Sequence, residues 1–176
     1  MRDYSICYKV NDEMLYQMIE LDKLVYNYGN IGDFKLCKNW LSKNEDIYTV
    51  LLDGDQVVGY INFMPIKKNS YFEYRAGKLK DYQITSDDIE SFEDDKEYYG
   101  LICSLVLSEK LRKSNMSLKL YQGFINKIKS LKSRGITFKS VLCECVTDDG
   151  LNNAKKLGFI QVNPIDEIYE GKLDFK

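Results

Sequence analysis

Hydrophobic and polar positions along the chain follow two periods, and each change of period marks an element. Ser5 to Val10 alternates as a short strand. Asn11 stands where a helix cap is needed, with Asp12 and Glu13 in the first turn, where negative charge suits the helix dipole. Met14, Met18, Leu21, Val25 and Tyr28 then recur at spacings of four, three, four and three. That is one face of an amphipathic helix, with Gly29 as its stop. Asp33 starts a second helix that carries Cys37, Trp40 and Leu41. Ile47 to Leu52 is rich in β-branched and aromatic residues and predicts a strand. Asp53 to Gln56 holds the Asp-Gly signal of a hairpin turn. Val57 to Ile66 is the return strand, with Pro65 marking its end.

The next segment, Lys67 to Lys96, is polar and strongly acidic toward its end. Ile84 to Phe92 predicts a short helix capped by Thr85 or Ser86. The acidic run at Asp87–Glu97 suits either a loop that attracts a cation or a solvated insertion. Tyr98 to Leu107 is a nearly continuous apolar run, which suits a central strand buried on both faces. Leu118, Tyr121, Ile125, Ile128 and Leu131 form a helical stripe ending at Gly135. Phe138 to Val146 is another strand, in which Glu144 faces away from Cys143 and Cys145. Thr147 or Asp148 caps a helix that runs to Leu157 and stops at Gly158. Phe159 to Val162 is a short strand ended by Pro164. Glu167 to Phe175 alternates as a half-buried final strand.

Strands mixed with crossover helices imply an α/β fold: a mixed sheet of about six to seven strands with helices on its faces. At 176 residues the chain fits one domain over 1–176, with the polar insertion at about 67–96. Hydrophobic residues make up 44% and charged residues 30%, enough for a core. The net charge of -2 opposes strong attraction to nucleic acid, although Lys110–Lys113 and Lys127–Arg134 are locally basic. No apolar run approaches the roughly 18 residues that a membrane span needs. The first residues, MRDYSICYKV, lack the apolar core of a secretory signal, so a cytoplasmic location is expected.

The chain has five cysteines, an odd number with no disulfide spacing, and they predict buried thiols in a reduced compartment. There is no histidine, so no His-based metal site is expected and the commonest general base is missing.

One loop carries the strongest chemical signal. Between the strand ending at Leu107 and the next helix, the chain reads Arg112-Lys113-Ser114-Asn115-Met116-Ser117. Backbone N–H groups at a helix start converge on one spot, and the dipole adds positive charge. Glycine serves such a loop by close approach and positive φ; asparagine tolerates positive φ and serine is small. A second stretch, Asn152 to Phe159, reads NNAKKLGF and closes the following helix in Leu-Gly-Phe. With the element order, these segments resemble the GNAT superfamily of acyl-CoA N-acyltransferases over nearly the whole chain. The family's loop reads Arg/Gln-x-x-Gly-x-Gly/Ala; here Asn115 and Ser117 replace both glycines.

The resemblance implies a mostly antiparallel sheet splayed between its fourth and fifth strands. It implies acetyl-CoA as cosubstrate, with no metal, and an amine of a small molecule or peptide as acceptor. The cofactor would meet Arg112 to Ser117, backbone groups at Leu105, Val106 and Leu107, and Thr147, which stands where many members have asparagine. Ala154 stands where many members have an acid tyrosine. Glu97 is the expected base, with Tyr99 lining the site or holding water; Glu144 is the second candidate. Tyr26, Tyr28 and Tyr60 are candidates for an acceptor pocket. The acidic insertion favours a cationic acceptor, and a homodimer is compatible with the fold. The alternative is a non-catalytic module that binds acyl-CoA or a protein partner, as the replaced glycines and Ala154 would suit.

Overall fold

Local capping chemistry sets the helix starts in the computed structural model, which describes residues 3–26, 33–112 and 114–175. Tyr28, Gly29 and Lys113, named above, lie outside the described residues. The Asn11 side chain accepts from the Met14 N–H at 2.9 Å and opens helix α1, Asp12–Val25. Asp33 does the same for Leu36 at 2.7 Å and opens α2, Phe34–Lys43. Each cap satisfies a donor that the first helical turn leaves orphaned.

Seven strands form one sheet in the order β1-β2-β3-β4-β5-β7-β6. They are β1 Tyr4–Cys7, β2 Tyr48–Asp53, β3 Gln56–Ile66, β4 Glu97–Leu107, β5 Thr137–Glu144, β6 Ile160–Asn163 and β7 Ile168–Gly171. Every neighbouring pair is antiparallel except β4 and β5. Those two run parallel and are joined through α4, Met116–Ser133, as a parallel crossover requires. The last helix, α5, spans Asp148–Lys156 between β5 and β6.

The β4–β5 ladder stops early. Pairing runs from Glu97 opposite Thr137 to Ile102 opposite Cys143. β4 continues to Leu107, but there its partner is β3 alone, with Leu107 opposite Gly59. The expected splay is therefore present at the C-terminal ends of both strands.

The core has two layers. One packs α1, α2 and the insertion against the sheet through Met18, Trp40, Tyr60, Tyr71, Tyr74 and Ile84. The other packs α4 and α5 through Phe63, Leu120, Phe124, Ile128, Val141 and Phe159.

Several expectations are corrected. Ile84 to Phe92 forms no helix. The Asp88 carboxylate accepts from the Thr85 N–H and hydroxyl and from the Ser70 hydroxyl, which closes a local turn. Ile84 and Ile89 are fully buried, and Ile89 bridges Ile66 as an extended residue. The helix of this insertion lies earlier, at Lys68–Arg75 (α3), where Tyr71 and Tyr74 supply its buried face. Its polar composition hid it. β3 ends at Ile66, beside Pro65 as expected, and Pro65 itself stays in the ladder, opposite Gly100, with its carbonyl accepting from the Glu90 N–H. β5 ends at Glu144 and β7 at Gly171, both short of the apolar pattern.

The face of α4 is also rotated from the predicted stripe. Leu120, Phe124, Ile128 and Leu131 are buried, whereas Leu118 is 66% exposed. Gly123 lets Ile6 approach, since a Cβ there would lie 3.0 Å from Ile6 side-chain carbons. The apolar arc is wide enough to serve two surfaces, and Tyr121 and Ile125 turn toward a cavity rather than the sheet. Lys127, on the buried face, donates to the Asp46 and Tyr48 carbonyls, and burial pushes its pKa down to about 8.

This packing separates two neighbouring leucines. Leu120→Ala is expected to lower unfolding stability by about 2–4 kcal/mol, while Leu118→Ala stays within about 0.5 kcal/mol of the parent. Urea denaturation of the two variants checks it.

Candidate active site at the strand splay

The gap between β4 and β5 opens into a cavity of about 1100 Å³ that both layers line. Its α4 end holds Arg112 and Ser117. The Arg112 Nε donates to the Leu107 carbonyl at 3.3 Å, fixing the side chain at the end of β4. The Ser114 hydroxyl donates to the Leu111 carbonyl at 2.7 Å and accepts from the Met116 N–H at 3.2 Å. The Ser117 hydroxyl donates to the Ser114 carbonyl at 3.2 Å. Asn115 caps α4 at φ -65 and makes no side-chain capping bond. The expected positive φ is absent there. A short 3-10 turn at Glu109–Leu111 precedes the helix, and Arg112 and Asn115 are both right-handed, so neither position that the family fills with glycine has a positive φ here. A smaller groove of about 500 Å³ at Glu109, Lys110, Arg112 and Asp149 adjoins this end.

Leu105 and Leu107 line the cavity, while Val106 is fully buried in the opposite layer. Ser114, Asn115 and Met116 shape the loop without lining the cavity. Thr147 lines it and caps α5, accepting from the Gly150 N–H at 3.1 Å. Ala154 is buried on that wall and offers no hydroxyl. Tyr121, on the same side, places a buried hydroxyl with no hydrogen-bond partner among the described residues. Burial pushes its phenol up to about 12.

The other wall carries carboxylates. Asp22, Asp81 and Glu144 all line the cavity. Burial pushes the Asp22 carboxyl up to about 6, against the Tyr60 hydroxyl that donates to it at 2.5 Å, and Asp81 adds repulsion. Burial also raises Asp81 and Glu144, and the charge of Asp81 raises Glu144 further. The Tyr74 hydroxyl donates to Glu144 at 3.3 Å. The Tyr26 hydroxyl donates to the Leu105 carbonyl at 3.4 Å, and burial raises its phenol. Tyr26 and Tyr60, named from the sequence, thus meet at this wall.

Glu97 and Tyr99 do not line the cavity. They stand at the opposite end of β4, where Glu97 pairs with Thr137 in solvent. The Tyr99 ring packs against Tyr71 and Phe72, with centroids 4.4 and 5.7 Å away. Distance along the strand decides this, because the splay begins only after Ile102. Asp22, Asn62, Tyr74 and Asp81 were missed. Asp22 had a signal: it interrupts the apolar face between Leu21 and Val25, four residues after Met18. Asp81 and Tyr74 lie in the polar insertion, whose folding the pattern does not reveal.

Among the described residues no group of three or more His, Cys, Asp or Glu is placed to hold a metal ion, and no helix is long and apolar enough to cross a membrane.

No protein-family model and no curated protein matches this chain in sequence. Solved structures match its fold. The structure of the NatC complex bound to Gag peptide and CoA superposes with TM-score 0.62 at 13% identity, covering 98% of this chain and 99% of that one. An acetyltransferase from Streptococcus agalactiae gives TM-score 0.61 at 16% identity, over 98% and 100% of the two chains. Arabidopsis thaliana Naa50 in complex with a bisubstrate analogue gives 0.57 at 14% identity, over 98% and 99%. The chain has the GNAT fold, that of the acyl-CoA N-acyltransferases.

The half-buried Asp22 makes a stability test. Its ordinary value is 3.8, and in the folded chain it holds a proton to about pH 6. Its contribution is therefore fully present below 3.8 and lost as pH rises through about 6. Asp22→Asn keeps an oxygen for Tyr60 and carries no charge. Its stability advantage over the parent should grow between about pH 4 and 6, then level at roughly 2–3 kcal/mol. Urea unfolding across that range measures it.

Proposed function

We propose that this chain is an acetyl-CoA-dependent N-acetyltransferase that acts on a primary amine of a small, cationic acceptor. One observation carries the reading: a single cavity passes through the β4–β5 gap, with Arg112 and the α4 N-terminus among its lining residues together with the half-buried carboxylates of Asp22, Asp81 and Glu144. The fold neighbours support it, since the NatC structure holds CoA and a peptide and the Naa50 structure a bisubstrate analogue.

The residues present fit such a cofactor. Bound acetyl-CoA supplies the acyl group, activated as a thioester. Arg112 and the first-turn N–H groups of α4 offer positive charge and donors for a pyrophosphate. The β4 edge beyond Ile102 has no β5 partner; its Leu105 and Leu107 carbonyls take the Tyr26 hydroxyl and Arg112, and its remaining polar groups would serve an extended arm. Thr147 flanks that edge from α5. An N–H of the same edge would polarise the acyl carbonyl.

The acceptor amine is mostly protonated at neutral pH and must lose a proton before attack. We assign that task to Glu144, which stands at the end of β5 beside the gap. Its raised pKa makes the carboxylate a better base than an exposed one. Glu97, at the far end of β4, is not retained in this role, and Tyr99 serves packing. On the opposite wall Ala154 leaves no phenol. The unpartnered Tyr121 hydroxyl is the proposed donor to the departing sulfur. The free thiols of all five cysteines suit a reduced, cytoplasmic setting.

Ala154 favours a second reading, a fold that binds acyl-CoA without turnover. Calorimetric titration with acetyl-CoA, beside dephospho-CoA and ATP, comes first. Saturable acetyl-CoA binding, weakened at least tenfold by Ser117→Glu, is the expected result. No binding would leave Arg112 to Ser117 as a helix start only and remove the transferase reading. With an accepted amine, Glu144→Gln is expected to lower kcat by about a hundredfold or more. Tyr121→Phe is expected to lower kcat by at least tenfold while the acetyl-CoA Kd holds. Binding without turnover on any amine selects the second reading.

A further inference from the structure

Three carboxylates from separate parts of the fold, Asp22 on α1, Asp81 in the insertion and Glu144 at the end of β5, line the same cavity. Asp22 takes the Tyr60 hydroxyl and Glu144 the Tyr74 hydroxyl, and the charge of Asp81 bears on both. Lys80 also lines the cavity and eases Asp81 and Glu144, but its ammonium is paired with Asp166. The other lining cations among the described residues, Arg112 and Lys156, belong to the α4 and α5 wall.

A second feature at this wall lacks a partner. Asn62 lines the cavity from β3, is 2% exposed, and has no hydrogen bond to either amide atom among the described residues. Its amide lies close enough to ease the Tyr48 phenol, but the pair does not meet hydrogen-bond geometry. On β3 it shares a face with Tyr60, whose hydroxyl holds Asp22. A buried amide left unpaired is costly, and a ligand that bonds it recovers that cost. The carboxylates are not gathered as a metal cluster. Several carboxylates spread along one cavity, with an open amide among the lining residues, match an organic cation that carries more than one charge.

We propose that the acceptor is a short linear diamine or polyamine, bound with one ammonium between Asp22 and Asp81 beside Asn62 and its reacting amine at Glu144. This deepens the transferase reading and rests on the same cavity. A monoamine would meet Glu144 and leave Asp22 and Asp81 without a cation. An amino acid would bring its own carboxylate against them. Selectivity therefore comes from the second charge, not from chain length alone.

The test is calorimetry on the full chain at pH 7.5, with and without CoA, titrating 1,4-diaminobutane, spermidine, butylamine and 4-aminobutanoate. We expect the diamine or spermidine to bind at least tenfold more tightly than butylamine, and 4-aminobutanoate most weakly. Asp81→Asn should remove that preference; its amide can still accept from the Tyr82 N–H as the carboxylate does at 2.7 Å. Asn62→Leu, near in volume, is the second variant and should weaken diamine binding severalfold. Thermal melts confirm that both fold. Equal affinity for the diamine and butylamine, or no diamine binding in either condition, overturns the proposal. A preference that survives Asp81→Asn also overturns it. Acetyl-CoA binding is scored separately: its failure removes the transferase reading, while the amine titrations still decide this one.

Discussion

The incomplete pairing of β4 with β5 is the constraint on which the site depends. β4 runs five residues past the end of the ladder at Ile102 and Cys143, whereas β5 ends at Glu144. β4 is held beyond that point by β3, from Asn62 opposite Ser104 to Gly59 opposite Leu107. β5 is held at its end by β7, with Glu144 opposite Ile168. Each splayed strand thus keeps its outer partner, so the gap opens without unravelling the sheet. The backbone groups facing the gap need other partners, and one carbonyl, that of Leu105, already takes the Tyr26 hydroxyl.

The two layers then give the two walls different chemistry. Alternation along β5 and the residue after it sends Cys143 and Cys145 to the α4 side and Glu144 to the α1 side. On the α4 side the cavity meets a helix N-terminus, Arg112 and the unpartnered Tyr121 hydroxyl. On the α1 side it meets carboxylates held by tyrosines. Burying Asp22 and Asp81 disfavours their charged forms, which is a cost in stability that a core of Leu or Met would not carry. Such a cost at a cavity wall is the usual mark of a binding site.

Much of the element order was readable because caps and turns act locally. Asn11, Asp33 and Thr147 each bond an N–H within three residues, so a short window of sequence contains the whole interaction. The hairpin at Asp53–Gln56 is equally local, with Asp53 paired to Gln56. The insertion failed for the opposite reason. The Trp40 indole donates to the Ile84 carbonyl across 44 residues, and Asp88 closes a turn with Ser70, 18 residues away. These long-range bonds override the helical pattern of Ile84 to Phe92. The α4 stripe was misread because its apolar arc serves both the sheet and the cavity, and periodicity cannot say which residues face which.

By itself the sequence determined the order of strands and helices, the caps, the loop at Arg112 to Ser117, and through them the kinship of fold. Those depend on residue type and near spacing. It did not determine which carboxylates share a wall. Asp22, Asp81 and Glu144 come from a helix, an irregular turn and a strand end, and only the packing of α1 and the insertion on the sheet brings them together. It also placed Glu97 in a role that the length of β4 denies it, because the position of the splay is set by where β5 leaves the ladder. That point is fixed by three strands at once, and no local pattern records it.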